Sequence, residues 1–426
     1  MKSLTKSSKP KLVSKDAQIQ LSLPVTGVLR DVQSAFYGLC INAGKAVLSA
    51  MMEEDRAALC GPKGVPDVSR TAYRGGHTRS WVTLGGRKIP VSRPRVRALE
   101  AAELPLPTFA WAAHADPLNT ATLAAIGAGV SMRRYRSTLD QLPVGHQEEC
   151  SVSRSAVSRR FVALSTERLS EWLCCRLDKL VLPVIMVDGI YFRDHLVLIA
   201  LGIDDAGDKH ILGIREGSTE NTRMVRSLLA DLIERGLDAT VARLWVIDGA
   251  KALRRAIGEV FGSLALVQRC QEHKRRNVLD HLPKELHASV SLALRDSWQS
   301  KDATLAKRQL ERLARSLASN HPGACASLLE GLEETLTLTG LGIDGALYKT
   351  LRSTNPIENL NGLLAHYTRN VKRWKNGQMV LRWVGSALHE AATGFRCVRG
   401  FRDMKHLRNA LVRTVKLDST VQLKVA

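Results

Sequence analysis

An unbroken apolar run over residues 180–187, stopping abruptly at Asp188-Gly189, constrains the fold more than any other stretch. Alternation would mark a strand with one wet face, whereas a continuous run marks one covered on both. Two further strands are predicted over 195–203 and 209–214. The turn Asp204-Asp205-Ala206-Gly207-Asp208 joins them, which makes them antiparallel neighbours. Residues 221–235 read as an amphipathic helix, with Val225, Leu228, Leu229 and Leu232 on one face and Gly236 closing it. A fourth strand over 244–247 ends at Asp248-Gly249, followed by a short helix over 251–261 and a fifth strand over 264–268. The order β-β-β-α-β-α-β opens on a meander, which argues against a doubly wound Rossmann sheet.

The flanking segments are helical. Residues 29–59 form a predicted helix, with Val32, Phe36, Leu39, Cys40 and Ala43 at helical spacing before the Gly61-Pro62 break. A β-hairpin follows, Trp81-Val82-Thr83-Leu84 and Arg87-Lys88-Ile89-Pro90-Val91 over a Gly85-Gly86 turn, carrying Arg79, Arg87, Arg93, Arg95 and Arg97. Those arginines suit either phosphate contact or a solvated face. Helices are expected over 118–130 and 132–142, and a third from Ser153 bears Arg154, Arg159 and Arg160. Such an array fits a helix-turn-helix reader or a plain basic bundle. Residues 283–336 are helical, broken at Asn320-His321-Pro322-Gly323, and another helix opens at Asn355-Pro356 and runs toward Tyr367.

Charge narrows the function. The 426 residues carry a net charge of +21, which points to a polyanion, nucleic acid first. No apolar stretch reaches the ~18 residues of a membrane span. Residues 1–15 carry five lysines and no apolar region, so a basic tail is expected rather than a secretion signal. Eight scattered cysteines form no disulfide framework and suit a reducing cytosol. There is no Gly-x-Ser-x-Gly elbow. The stretch 38–45 has one residue too many for a phosphate loop and Ala46 where Ser or Thr should stand, so ATP use is not expected.

Asp188 and Asp248 end two buried strands in the same way. Either each begins an ordinary Asp-Gly turn, or both stand at strand ends where side chains leave the core on a rigid backbone. Glu358, in Asn355-Pro356-Ile357-Glu358, resembles a capping-box glutamate. It also flanks the apolar face of Ile357, Leu360 and Leu364, and could point across at the two aspartates. Three carboxylates suit hard cations such as Mg²⁺, two of which can clamp an in-line phosphoryl displacement.

Several runs together carry a family resemblance. They are Val187-Asp188-Gly-Ile-Tyr191, the stretch from Gly213-Ile-Arg-Glu-Gly217 to Glu220-Asn221, and Val246-Ile-Asp248-Gly-Ala. With them stand Gln268-Arg-Cys270-Gln-Glu-His273-Lys-Arg-Arg-Asn277-Val and Arg352-Ser-Thr-Asn355-Pro-Ile-Glu358-Asn-Leu-Asn361. The ordered set, spanning about residues 73–402, resembles the bacterial Mutator-type insertion-sequence DDE transposases. That resemblance implies an RNase H-like mixed sheet interrupted by an all-helical insertion, with the triad at Asp188, Asp248 and Glu358. It also implies two Mg²⁺ or Mn²⁺ ions, double-stranded DNA at the element's terminal inverted repeats and at the target, and a homodimer. A bacterial, cytoplasmic and nucleoid-associated setting follows.

Cys270 and His273 are half of a zinc site by spacing; with Asn355 they are expected to support the active site, or to contact the DNA near the cleaved phosphate, rather than hold zinc. Lys274, Arg275 and Arg276, with Arg269 beside them, suit phosphate contacts or a solvated helix face. Lys372 and Arg373 flank Trp374, which could stack a base or pack on the core. The expected divisions are a basic tail (1–24), a helix and hairpin DNA-binding or dimerisation module (25–115) and a helix-turn-helix region (116–178). Next come the catalytic core (179–270 and 351–375) around the helical insertion (271–350), and a basic helical end (376–426). Two other classes remain beside a strand-transferring enzyme: a DNA-binding repressor on the same fold, and a nuclease that cuts without joining.

Overall fold

The computed structural model describes residues 32–65, 70–84, 87–99, 102–114 and 154–425. These fall into two compact units, divided between Ala163 and Leu164. Among the described residues no helix is long and apolar enough to cross a membrane.

The first unit holds helix α1 (Val32–Cys60), strands β1 (Ala72–Leu84), β2 (Arg87–Ala98) and β3 (Glu103–Leu104), and helix α2 (Pro107–His114). The predicted hairpin forms, antiparallel with Val82 opposite Ile89, and extends back to Ala72 opposite Ala98. Its two-glycine turn lies outside the described residues. The alternation of the hairpin sends Val82, Leu84, Ile89 and Val91 into a core with Ile41, Leu48 and Met52 of α1. Cys40, expected in the helix's apolar stripe, is exposed; Ile41, one residue on, occupies the buried position. Helix α3 (Arg154–Leu173) is the third predicted helix. The two helices expected before it lie outside the described residues.

The second unit is built on strands β4 (Val184–Phe192), β5 (His195–Ile203), β6 (Lys209–Gly217), β7 (Arg243–Ile247) and β8 (Ala265–Arg269). Their order across the sheet is β6-β5-β4-β7-β8, antiparallel among the first three and parallel from β4 to β8. This mixed five-strand sheet fits an RNase H-like core. Helices α4 (Thr222–Glu234) and α5 (Lys251–Phe261) cover one face, packing on Ile185, Val187, Leu198, Trp245 and Ile247. Asn221 caps α4, its side-chain oxygen accepting from Met224 N–H at 2.9 Å.

Between β8 and the opposite face lies an all-helical stretch: α6 (Gln271–Leu279), α7 (Lys284–Gln299), α8 (Ala303–Leu317), α9 (Pro322–Leu329), α10 (Thr337–Gly340) and α11 (Gly345–Leu351). Helices α6 to α9 bury Leu279, Leu294, Leu310 and Leu328 in a core of their own. The other face of the sheet is covered by α12 (Asn355–Thr368), α13 (Gly377–Thr393) and α14 (Met404–Val425). Val184, Met186, Ile199 and Val246 meet Ile357, Leu360, Leu364, Val384 and Leu407 there. An unbroken apolar sequence in β4 is thus required by helices on both sides.

Candidate active site

The parallel pairing of β4 with β7 ends at Met186 opposite Val246; two residues further along each chain come Asp188 and Asp248. The two carboxylates therefore leave the sheet at the same level. Asp188 is not at a strand tip, as expected, but inside β4, opposite Ile199 of β5. The long antiparallel partner β5 carries β4 on through Gly189 to Phe192, overriding the local turn tendency of Asp-Gly. Asp248 does begin a turn, Oδ1 accepting from Ala250 N–H at 2.8 Å, and stands in the cluster as well. Gly249 makes that turn possible. Its φ is +104°, and a Cβ there would lie 2.2 Å from Arg269 Nε.

Helix α12 supplies the third carboxylate. Ile357, Leu360 and Leu364 seat it against the sheet, and Glu358 and Asn361, three residues apart, flank that seam. Asn361 Nδ2 donates to Asp188 Oδ2 at 2.8 Å. The capping box does not form: Thr354, not Asn355, is the N-cap, and Glu358 Oε1 instead accepts from Thr354 Oγ1 at 2.5 Å. His273 Nδ1 lies 3.6 Å from the same Glu358 oxygen and 3.4 Å from Thr354 Oγ1.

Cys270 and His273 link the sheet to this helix. Cys270 N–H donates to Ile247 O at 2.8 Å, beside Asp248, while its Sγ accepts from Thr354 N–H at 3.4 Å and His273 N–H at 3.5 Å. Burial alone would push the thiol up, but the hydrogen bonds from His273 and Thr354 hold it below its usual range. His273 is raised, by its bond to Cys270 first and by Glu358 and Asp248, against the opposing effect of burial. Cys270, His273 and Glu358 each offer a ligand atom within 4.8 Å of the others.

Electrostatics joins the three carboxylates. Burial, then the charge of Asp248 and in smaller part that of Glu358, pushes Asp188 up to about 7, against the Gly189 N–H and His273. A fourth carboxylate, Glu220, is raised by burial and then by Asp248, and its Oε1 is buried with no hydrogen-bond partner. Asn361 Oδ1 is likewise buried and unpartnered. Sequence reasoning gave neither Glu220 nor Asn361 a role. Both stand in the runs that carry the resemblance, but neither has a turn or strand-end signal of its own.

The expected DNA-contacting residues divide. Lys274 is fully buried: Nζ donates to Ser327 O and Glu330 O, each at 2.5 Å, at the C-terminal end of α9. There it meets the orphan carbonyls and negative dipole end of that helix, with burial and Arg269 lowering it to about 8. Lys274 is thus a helix-binding residue, not a phosphate contact. Arg269, 5 % exposed, is tied to Glu330 in the same way. Arg275 pairs with Glu272 at 3.2 Å, whereas Arg276, Arg159, Lys372 and Arg373 are exposed. The side chains of Arg87, Arg154 and Arg160 lie outside those described. Arg93 and Arg95 of the hairpin are each bridged to Glu103 at 2.8 Å. Trp374 packs on the core, its ring edge-on to Phe192 at 5.1 Å. Asn355, expected beside the carboxylates, is exposed at the first position of α12, where it lines a separate cavity with Asn359. At about 100° per residue Asn355 stands roughly 40° from Asn359 but roughly 120° from Asn361, so it faces the cavity rather than Asp188.

The chain is similar to several known proteins. The profile of a family described as "Transposase, Mutator family" matches residues 27–397. The chain is 28% identical over 358 residues to the transposase for insertion sequence element IS256 in transposon Tn4001 of Staphylococcus aureus, covering 80% of this chain and 87% of that protein. It is 30% identical over 373 residues to the transposase for insertion sequence element ISRM5 of Rhizobium meliloti, covering 85% and 89%. To the transposase for IS406 of Burkholderia multivorans it is 31% identical over 274 residues, covering 62% and 67%.

Proposed function

Because the chain belongs to the Mutator family of transposases, we propose that Asp188, Asp248 and Glu358 are its catalytic triad, acting on the terminal inverted repeats of an insertion sequence. The observation that carries this reading is that Asp188 and Asp248 leave adjacent parallel strands at one level while α12, which bears Glu358, reaches Asp188 through Asn361 at 2.8 Å. Burial and the charges of Asp248 and Glu358 accordingly push Asp188 up to about 7. Three acids gathered where they repel one another, in a chain of net charge +21, call for a cation and a polyanion.

The donors fit a hard divalent cation, Mg²⁺ or Mn²⁺, two per site: Asp188, Asp248 and Glu358 offer oxygens only, and unpartnered buried oxygens of Glu220 and Asn361 lie in the same cluster. Such ions would neutralise charge at the scissile phosphate and lower the pKa of bound water. The chain's own residues supply orientation. Asn361 fixes one oxygen of Asp188; Thr354 and His273 fix Glu358. Water adds to the phosphodiester at an element end and the 3′-oxygen leaves as a hydroxyl. That 3′-OH then attacks a second phosphodiester, expelling another 3′-OH, so each step exchanges one P–O bond for another without ATP. Cys270 and His273 serve as a clamp between the sheet and α12 in this reading, a role their hydrogen bonds to Thr354 support.

An RNase H-like core carrying the segment from α6 to α11 as an insertion, repeat-reading by the N-terminal helices and hairpin, and action as a homodimer complete the reading. The test is an oligonucleotide assay on a duplex ending in the element's own terminal repeat, with Mg²⁺. The wild type is expected to give a joined product, and Asp188→Asn, Asp248→Asn and Glu358→Gln to lose it by at least ~10³-fold while still binding DNA. Cutting without joining would indicate a nuclease, and binding without cutting by the wild type a repressor.

A further inference from the structure

A second feature of the molecule lies on the neighbouring face of α12. A cavity of about 800 Å³ is lined by Lys209, Lys349, Arg396 and Arg399, with the amides of Asn355 and Asn359 at its edge. No carboxylate lines it, and among the described residues none of the four cations is in an ion pair. Elsewhere in the second unit exposed cations such as Arg254, Lys307 and Arg408 are paired. A second cavity of about 720 Å³ shares Gly345 and Lys349 with the first, but there Lys301 is partnered with Asp344 at 3.2 Å and Arg352 with Glu272 at 3.9 Å, so the run of unpaired cations belongs to the first.

The walls are fixed before anything binds. Gly400 has φ +83°, and a Cβ there would lie 2.2 Å from Leu347 N, so the backbone of 396–400 is pressed onto α11. Val398 N–H donates to Gly207 O at 2.9 Å, Cys397 Sγ to Asp208 Oδ1 at 2.9 Å, and Thr350 Oγ1 to Arg399 O at 3.0 Å. Burial lowers the pKa of Lys209, which also stands 4.9 Å over the ring of Phe395. Holding four unpaired cations along one rigid cleft is electrostatically unfavourable unless a polyanion completes it.

We propose that this cleft is a track for the phosphate backbone of DNA, leading the duplex along α12 to the carboxylates one helical turn from Asn355. The inference rests on the transposase reading above, and binding is measured without divalent ion so that the two can fail separately. The probe is a 30-base-pair duplex titrated with the full chain at several salt concentrations. For Lys349→Gln/Arg396→Gln/Arg399→Gln, the slope of log affinity against log salt is expected to fall by about 2–3, since each lost phosphate contact removes ~0.9. Unchanged circular dichroism and thermal midpoint show that the variant is folded. An unchanged slope overturns the proposal. So does an equal loss in Arg312→Gln/Arg315→Gln on the exposed side of α8, which would mean diffuse attraction. Inorganic phosphate is the second arm. Phosphate binding abolished by the triple substitution with the DNA slope unchanged marks a small-anion site instead. A wild type that binds through the cleft yet never cuts leaves the track standing and removes the catalytic assignment.

Discussion

At Asp188 a carboxylate is held where burial and like charges both oppose its ionisation. Its folded pKa of about 7 lies above the ordinary 3.8, so the native chain binds more protons than the unfolded one between those values. Without metal, this group's contribution therefore falls as pH rises from about 4 to 7. Asp188→Asn keeps an oxygen for Asn361 and removes the charge. In a chelator it is expected to raise the thermal midpoint at pH 8 by roughly 2–4 °C and to change little at pH 4.5. A shift of equal size at both pH values would contradict the repulsion. Lys274 gives a second residue-scale test. Lys274→Met fills similar volume but removes the donor to Ser327 O, while Glu330 O keeps Arg269 Nη1 at 2.9 Å, and is expected to cost ~1–3 kcal/mol in denaturant unfolding with DNA affinity unchanged. Its burial is illegible locally, because a lysine among Arg275 and Arg276 reads as surface. The acceptors that take it inside lie more than 50 residues away, in α9 and just beyond it.

Among the elements, those whose signal is local matched their forecast closely. The helix predicted over 251–261 has those bounds, and Asn221 and Gly236 flank α4 as cap and stop. Where a distant partner decides, the forecast fell short. β4 begins at Val184, after Pro183, and extends past Asp188 because β5 pairs with it through Phe192. Asp188 and Asp248 are legible as acids at the ends of apolar runs and Glu358 as an acid flanking the apolar face of a helix; their supports are not. Asn361 acts through a bond to a residue 173 positions away, and Thr354, the actual cap of α12, was hidden behind the more familiar Asn-Pro signal. The N-terminus of α12 tests this clamp. Thr354→Val removes the hydroxyl that serves both Glu358 and His273, and joining is expected to drop ~10–100-fold with little change in DNA affinity. In the turn after β7, Gly249→Ala would force a side chain into φ +104° against Arg269, costing ~1–3 kcal/mol and displacing Asp248.

At the scale of the molecule, a chain of net charge +21 gathers a small group of acids on a sheet clad by helices on both faces. The sheet fixes Asp188 and Asp248 at one level, and α12 brings Glu358 and, through its bond to Asp188, Asn361 to them. Titration of Mn²⁺ into the chelator-stripped chain, followed by electron paramagnetic resonance, tests whether these acids act as one site. The wild type should bind ions that Asp188→Asn, Asp248→Asn and Glu358→Gln each weaken at least ~10-fold, with Asp231→Asn, a carboxylate paired with Arg235 and Arg215, unaffected. Full Mn²⁺ binding in all three triad variants would show that the carboxylates do not share a cation and would remove the basis of the proposed chemistry.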